Sequence, residues 1–347
     1  MTDLKFYIGE LCTKTIWGMD LRSRMHAISQ GQKTVADTDS LAEYVPTAHV
    51  GVEIGGGGGG LHYHYGTLGQ LEHGVNYADA YLKSIGKLSE AKRPLDEWPY
   101  KEGSKVNLFI LAGHRNMEGE RAFVQNLQQL EPSLLNDDGD IAYKYSLGGG
   151  VKVSDGWEPL GPAGPYDTFG PELSFAQSLK EAGTSNIAIA KFTHSGSQII
   201  DWTPEESMAK TRNLYPRLIK FISDSVRDLE AKGHEVQLAG VFYHLGENDM
   251  SFAPYRRDAA KRLHSLIEQS RRDLSLPKLI WMVSQQQPTD DKAVNAIDVV
   301  ADVEKMSATD DHVIHLKAFD LPDQEKQLVL DTAGILRLGE LIALGAR

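Results

Sequence analysis

The sequence predicts an α/β fold, a three-layer α/β/α sandwich around a mostly parallel sheet. From Val106 onward, short apolar runs alternate with amphipathic stretches of helical period, the pattern of strands covered by helices. The first of these runs, Val106 to Ala112, stops at Gly113 in a sharp polar turn. The composition, 41% apolar and 24% charged, is that of a globular chain able to build a large core.

Asn107–Ala112 reads as the first strand. Glu172–Ala182 reads as a helix, begun through Gly170-Pro171 and closed by Gly183. Ile187–Phe192 is a short apolar strand, and Pro204–Gly233 carries a long amphipathic pattern in Leu214, Leu218, Phe221, Ile222, Val226 and Leu229. Val236–Tyr243 and Leu279–Ser284 are further strands, with a helical stretch at Ala253–Leu274 between them. Residues 136–171 are rich in Gly, Asp and Pro, and are expected as a loop over the carboxyl edge of the sheet, where ligands bind in such folds.

Residues 1–90 repeat part of the C-terminal sequence. Gly66–Ala78 lies without a gap on Asp331–Ala343, with Thr, Gly, Leu, Gly and Ala coinciding. Upstream, strand-like Leu4–Gly9 parallels Leu279–Ser284, and Val35–Leu41 parallels Val313–Leu321. The expected organisation is a partial copy of the domain's last third at 1–90, a linker at 91–105 marked by Pro94 and Pro99, and a complete domain at 106–347. A partial copy cannot bury its own apolar face. It needs the second domain, another chain (complementing or identical), or a further segment.

Other classes of partner are excluded by charge and composition. Lys+Arg 36 against Asp+Glu 48 gives a net charge of −12, which argues against a nucleic-acid backbone. No segment approaches the ~18 apolar residues of a membrane span, so no membrane partner is expected. The opening Met-Thr-Asp-Leu-Lys-Phe lacks a signal-peptide pattern, so a cytoplasmic location is expected. With Cys12 alone, there is no intrachain disulfide and no cysteine-based zinc site to expect.

Residues 106–347 resemble the sialate O-acetylesterase-like domain, a carbohydrate-esterase branch of the SGNH hydrolases. Gly113-His114-Arg115-Asn116-Met117 is similar to the family's Gly-Gln-Ser-Asn-Met, and Gly170-Pro171-Glu172 to its Gly-Pro-Glu helix start. Lys191–Ser197 followed by Asp201-Trp202 is similar to its Lys-Tyr-Ala-Val-Gly-Gly-Thr segment. Tyr243–Asp249 is similar to Trp-His-Gln-Gly-Glu-Ser-Asp. The resemblance implies an SGNH-type fold and acyl transfer: a serine attacks an acetyl ester on a sugar, a histidine takes its proton, and backbone or amide donors hold the oxyanion.

Carried over residue by residue, those roles are missing. The serine position is Arg115, beside Asn116; an arginine stays protonated and cannot attack a carbonyl. The first glycine of the Gly-Gly pair is Ser195, with Gly196 kept. The glutamine is Leu245, two residues before Glu247. The histidine position is Val329 and its acidic partner Lys326. Losing the serine or the histidine costs on the order of 10⁶-fold, with ~10³–10⁴ over water surviving. In the partial copy, the family's His-Tyr-x-Thr-x-Gly-Gln tail falls on residues 64–70, which makes His64 a candidate catalytic histidine, with Leu61 where its acid belongs.

Each candidate has a plainer alternative. Arg115 either grips a sugar carboxylate or sulfate with its planar fork, or faces solvent at a relic turn. His244 and Glu247 either line the cleft or hydrogen-bond their own turn. Trp157, Tyr166 and Trp202 are candidate sugar-stacking aromatics or ordinary packing. Ser195 and Ser197 are possible substitute nucleophiles, though His194, adjacent on an extended segment, points away from Ser195. The Gly55–Gly60 run lacks the Lys-Ser/Thr of a phosphate loop and is expected to be flexible. His62-Tyr63-His64 lacks a nearby carboxylate for a metal site, and no metal or other cofactor is expected. The expectation is a degenerate carbohydrate O-acetylesterase-like hydrolase. The alternatives are an esterase completed when His64 meets a serine-bearing partner, and a protein that binds acetylated carbohydrate without cleaving it.

Overall fold

The computed structural model describes residues 4–10, 22–47, 67–87, 93–165, 167–204, 213–246, 249–250, 253–286, 299–318, 321 and 329–346. The chain divides into two compact units, a small one of Met1–Lys92 with Glu205–Asn213 and a large one of Arg93–Pro204 and Leu214–Arg347.

The small unit runs β1 (Phe6–Gly9), α1 (Arg22–Thr38), β2 (Ala42–Val45) and α2 (Thr67–Ser84). Its two strands are parallel, with Phe6 opposite Ala42 and Gly9 opposite Val45. The Tyr7 hydroxyl and Ser84 Oγ share a 2.9 Å hydrogen bond that ties α2 to β1. At the end of α1 the Thr38 hydroxyl bonds back to the Thr34 carbonyl at 2.7 Å, and Asp39 Oδ1 accepts from Leu41 N at 2.9 Å. Both are local side-chain bonds that compete with further helix, and they turn the chain into β2. Val35–Leu41 is therefore the end of a helix and a turn.

The large unit holds the strands β3 (Lys105–Gly113), β4 (Asp138–Leu147), β5 (Lys152–Val153), β6 (Glu158–Leu160), β7 (Ile187–Thr193), β8 (Glu235–His244), β9 (Trp281–Gln286) and β10 (Val313–Ala318). They form one sheet in the order β10-β9-β8-β3-β7-β4-β5, with β6 also on β4. The run from β10 to β4 is parallel, whereas β5 and β6 are antiparallel to β4. Its helices are α3 (Arg115–Glu118), α4 (Val124–Leu130), α5 (Glu172–Glu181), α6 (Ile199–Trp202), α7 (Tyr215–Glu230), α8 (Ala253–Asp273), α9 (Val299–Thr309) and α10 (Thr332–Gly345).

Side chains alternate across a strand, and β3 shows how this makes three layers. Val106, Leu108, Ile110 and Ala112 enter a core with Leu218, Ile222 and Leu229 of α7 and Leu263, Leu266 and Ile267 of α8. Phe109 and Leu111 face the other way, into Leu173, Phe175 and Leu179 of α5 and Ile335, Leu338 and Ile342 of α10. The α/β sandwich with a mostly parallel central sheet is thus as predicted. Among the described residues no helix is long and apolar enough to cross a membrane.

Two expectations give way to a different arrangement. Residues 136–171 are not one loop, because β4 lies within them and pairs with β7 through Ala142–Ser146. Its buried Ile141, Tyr143 and Leu147 are masked in the sequence by Asp138-Gly139-Asp140 before and Gly148-Gly149-Gly150 after. The chain expected as a linker is packed from Arg93 onward. The buried Tyr100 donates to the Ile187 carbonyl at 2.5 Å and accepts from Ala142 N at 2.9 Å.

Candidate active site

The carboxyl ends of three adjacent strands build the site. Gly113 closes β3 directly between Thr193 of β7 and His244 of β8. Its φ of 150° suits glycine, and a Cβ there would lie 2.7 Å from Met117 Cγ and 3.0 Å from the His244 carbonyl. The chain can therefore turn at once into α3, which puts His114, Arg115 and Asn116 at the sheet edge.

Arg115 is only 7% exposed. Its Nε donates to Glu120 Oε2 at 2.8 Å and its Nη2 to Glu120 Oε1 at 2.5 Å, a bidentate pair with both side chains buried. Gly119, in the left-handed region at φ 85°, folds the chain back so that Glu120 can reach. The arginine does not face solvent, and its fork is spent on its own carboxylate rather than open to a sugar acid.

Asn116 staples distant parts of the chain. Its Oδ1 accepts from Leu330 N at 2.8 Å, and its Nδ2 lies 3.4 Å from His244 Nε2. His244 Nδ1 is 2.8 Å from Ser284 Oγ, so the ring bridges α3, β8 and β9. Burial, with His114 nearby, pushes its pKa down to about 3. His244 is a neutral ring locked in a network.

A serine and a histidine do meet here, with the wrong polarity. Ser197 Oγ is 2.8 Å from His114 Nδ1, accepts from Trp202 Nε1 at 2.9 Å, and donates to the His194 carbonyl at 2.6 Å. His114 Nε2 is 2.6 Å from the Tyr243 hydroxyl. With the serine's proton on the His194 carbonyl, His114 carries its proton at Nδ1 and accepts from Tyr243. The histidine gives a hydrogen bond to the serine instead of taking its proton.

Ser195 binds an acid that carries no motif in the sequence. Its Oγ donates to Glu118 Oε1 at 2.8 Å, while Thr193 Oγ1 at 2.8 Å and Gly148 N at 2.9 Å donate to Glu118 Oε2. Burial pushes the Glu118 carboxyl up, against those donors and the Lys191 charge. Its only signal in sequence was its place three residues after Arg115, in a helix too short to show a period. The Gly148–Gly150 turn, all at positive φ, runs beside His194: a Cβ on Gly149 would lie 2.5 Å from the ring.

Gly196 follows in the buried turn after Ser195, and Leu245 is wholly buried in the core with Trp202 and Met250. Val329 is buried just before Asp331, whose side chain caps α10 by accepting from Gly334 N at 2.9 Å. Trp157 and Trp202 are core residues, not exposed stacking platforms. The Gly-Pro-Glu start and Lys191 explain each other: Glu172 Oε2 accepts from Lys191 Nζ at 2.7 Å with both side chains fully buried, and Oε1 accepts from Gly170 N at 3.1 Å. His64, Leu61, His62, Gly55–Gly60, Tyr166, Glu247 and Lys326 lie outside the described residues. Among the described residues no group of three His, Cys, Asp or Glu side chains could hold a metal ion.

Residues 105–346, about 70% of the chain, match the model of a family described as carbohydrate esterase, sialic acid-specific acetylesterase. The chain belongs to this family. Its fold is similar to that of an Arabidopsis thaliana protein of known structure, at 19% identity and a TM-score of 0.54, over 70% of this chain and 98% of that one. A carbohydrate acetylesterase from Xanthomonas citri matches at 16% identity and a TM-score of 0.51, over 70% of this chain and 56% of that one. NanS matches at 15% identity and a TM-score of 0.51, over 71% of this chain and 98% of that one. No curated protein matches the chain.

Proposed function

We propose that the large unit is a carbohydrate acetylesterase fold without a working acyl-transfer centre of its own. The observation that carries this reading is Arg115: at the turn where the family resemblance calls for a serine, a guanidinium with no free lone pair is clamped to Glu120. The rest of the machinery supports it. Val329 offers no base, Leu245 no oxyanion donor, and the protons of Ser195 and Ser197 are committed to Glu118 and to the His194 carbonyl. Ser195 with Glu118 comes nearest to an activated hydroxyl, and at 2% exposure it gives a substrate carbonyl no approach.

The test is hydrolysis of p-nitrophenyl acetate and of O-acetylated sialic acid by the full chain, beside Ser195→Ala and His64→Ala variants. The expected rates are those of buffer for all three. Turnover that saturates with substrate and disappears in either variant overturns the proposal and names the residue responsible.

A further inference from the structure

The small unit runs through the same four elements as the end of the large one, and shares the hydrogen bonds of their central turn. Both run strand–helix–strand–helix, with the two strands parallel: Phe6 opposite Ala42 in one, Trp281 opposite Val313 in the other. The Thr38 hydroxyl bonds back to Thr34, as the Thr309 hydroxyl does to Lys305. The next residue makes the same turn in each, Asp39 Oδ1 accepting from Leu41 N at 2.9 Å and Asp310 Oδ1 from His312 N at 2.9 Å. The first strand is then pinned alike, Phe6 N to the Leu41 carbonyl at 2.7 Å and Trp281 N to the His312 carbonyl at 2.9 Å. The last helices begin at matching threonines, Thr67 and Thr332.

What differs is what covers them. In the large unit the other edge of β9 is taken by β8, from Val241 opposite Trp281 to His244 opposite Ser284. There Leu279 and Trp281 are 4% and 0% exposed, while their counterparts Leu4 and Phe6 are 56% and 58% exposed. Among the described residues β1 pairs with β2 alone.

The helices show the same contrast. Gly339 of α10 is a notch for α5: a Cβ there would lie 2.1 Å from Ser174 Oγ and 2.3 Å from the Pro171 carbonyl. Its counterpart Gly74 meets nothing within 4 Å. Gln70 is exposed where Ile335 is wholly buried. Among the described residues, a notch cut for a neighbouring helix stands open, and so does a strand edge cut for a neighbouring strand.

We infer that the small unit is an incomplete second copy of this fold, and that its bare β1 edge and the Gly74 face of α2 form an interface. The occupant is a separate polypeptide folded like residues 105–280 of this chain. It would lay a β8-like strand parallel to β1 and seat an α5-like helix on Gly74. A second copy of this chain does not fit, because its own β8 and α5 are already engaged by β9 and α10. Edge pairing supplies the backbone bonds, and the exposed apolar side chains supply the buried area.

Photocrosslinking in the organism that makes the chain tests this. A benzophenone side chain is placed in the full-length protein at Phe6, at Gln70, and as a control at Thr38, which is exposed like its counterpart Thr309. The expected result is an adduct from the first two sites with one esterase-family polypeptide, on the strand and helix equivalent to β8 and α5, and none from Thr38. Gly74→Trp, which fills the notch, and separately Phe6→Lys on the strand side, should each cut the adduct at least tenfold with the α-helical circular dichroism unchanged. No adduct, an adduct between two copies of this chain, equal labelling from Thr38, or an adduct insensitive to both substitutions overturns the inference.

Discussion

Restoring the family's serine by Arg115→Ser should unfold the site rather than revive it. The substitution strips Glu120 of both guanidinium hydrogen bonds while its side chain stays buried. Breaking a buried ion pair from one side costs about 3–5 kcal/mol, because the remaining charge has lost its partner. For the 242 residues of 105–346, an unfolding entropy of ~2.1 cal/mol/K per residue gives about 0.5 kcal/mol/K. The expected fall in Tm is therefore about 6–10 °C at pH 7. Arg115→Ser with Glu120→Gln removes the stranded charge and should recover more than half of that loss. Differential scanning calorimetry of the parent, both single variants and the double variant gives the coupling directly. A single Arg115→Ser variant melting within 2 °C of the parent would refute the buried pair.

Other expected outcomes rest on the same geometry. His244 is held near a pKa of about 3 against an ordinary 6.5, so the unfolded chain takes up a proton that the folded one refuses. Its stabilising effect is complete above pH 6.5 and is lost as the pH falls toward 3, by at most ~5 kcal/mol; urea titrations from pH 7 to 4 should show a slope that His244→Gln flattens by about one proton. Gly339→Ala should destabilise by about 1–3 kcal/mol through its clash with α5, whereas Gly74→Ala should add about 0.5–1 kcal/mol of helix stability. The opposite signs are read by thermal circular dichroism, and two losses of equal size would contradict the open notch. Lys191→Met should cost about 3–5 kcal/mol by stranding Glu172, seen as a lower denaturant midpoint, and adding Glu172→Gln should restore much of it.

The sequence reveals the centre of the sheet better than its rims. β3, β7 and the second half of β8 are buried on both faces and rich in apolar residues, so their expected boundaries fall within a residue or two of those observed. β4 is hidden because its opening Asp-Gly-Asp and the triple glycine after it carry a turn signature stronger than the alternation between them. The proposed repeat shows in the sequence at Thr67 and Gly74, but its middle is read out of register there: Val35 falls on Val313, whereas the threonines that bond back into their helices are Thr38 and Thr309. At the site, the sequence marks the positions of Arg115, Ser195, Leu245 and Val329 but not what surrounds them. Glu118 and Glu120 look like ordinary surface acids, and only the fold brings them onto Ser195 and Arg115. Trp157 and Trp202 cannot be told from exposed aromatics in the sequence, because an indole packs or stacks with the same apolar face.

The Arg115–Glu120 clamp also shapes how molecules arrive. A chain of net charge −12 repels anions at long range, and a cationic turn at the sheet edge could have focused them locally. Cancelled at contact by its own carboxylate, the guanidinium leaves only a short-ranged dipole. A neutral molecule nearing this face feels no long-range field, while an anionic one approaches against it, at a rate that rises as added salt screens the charge.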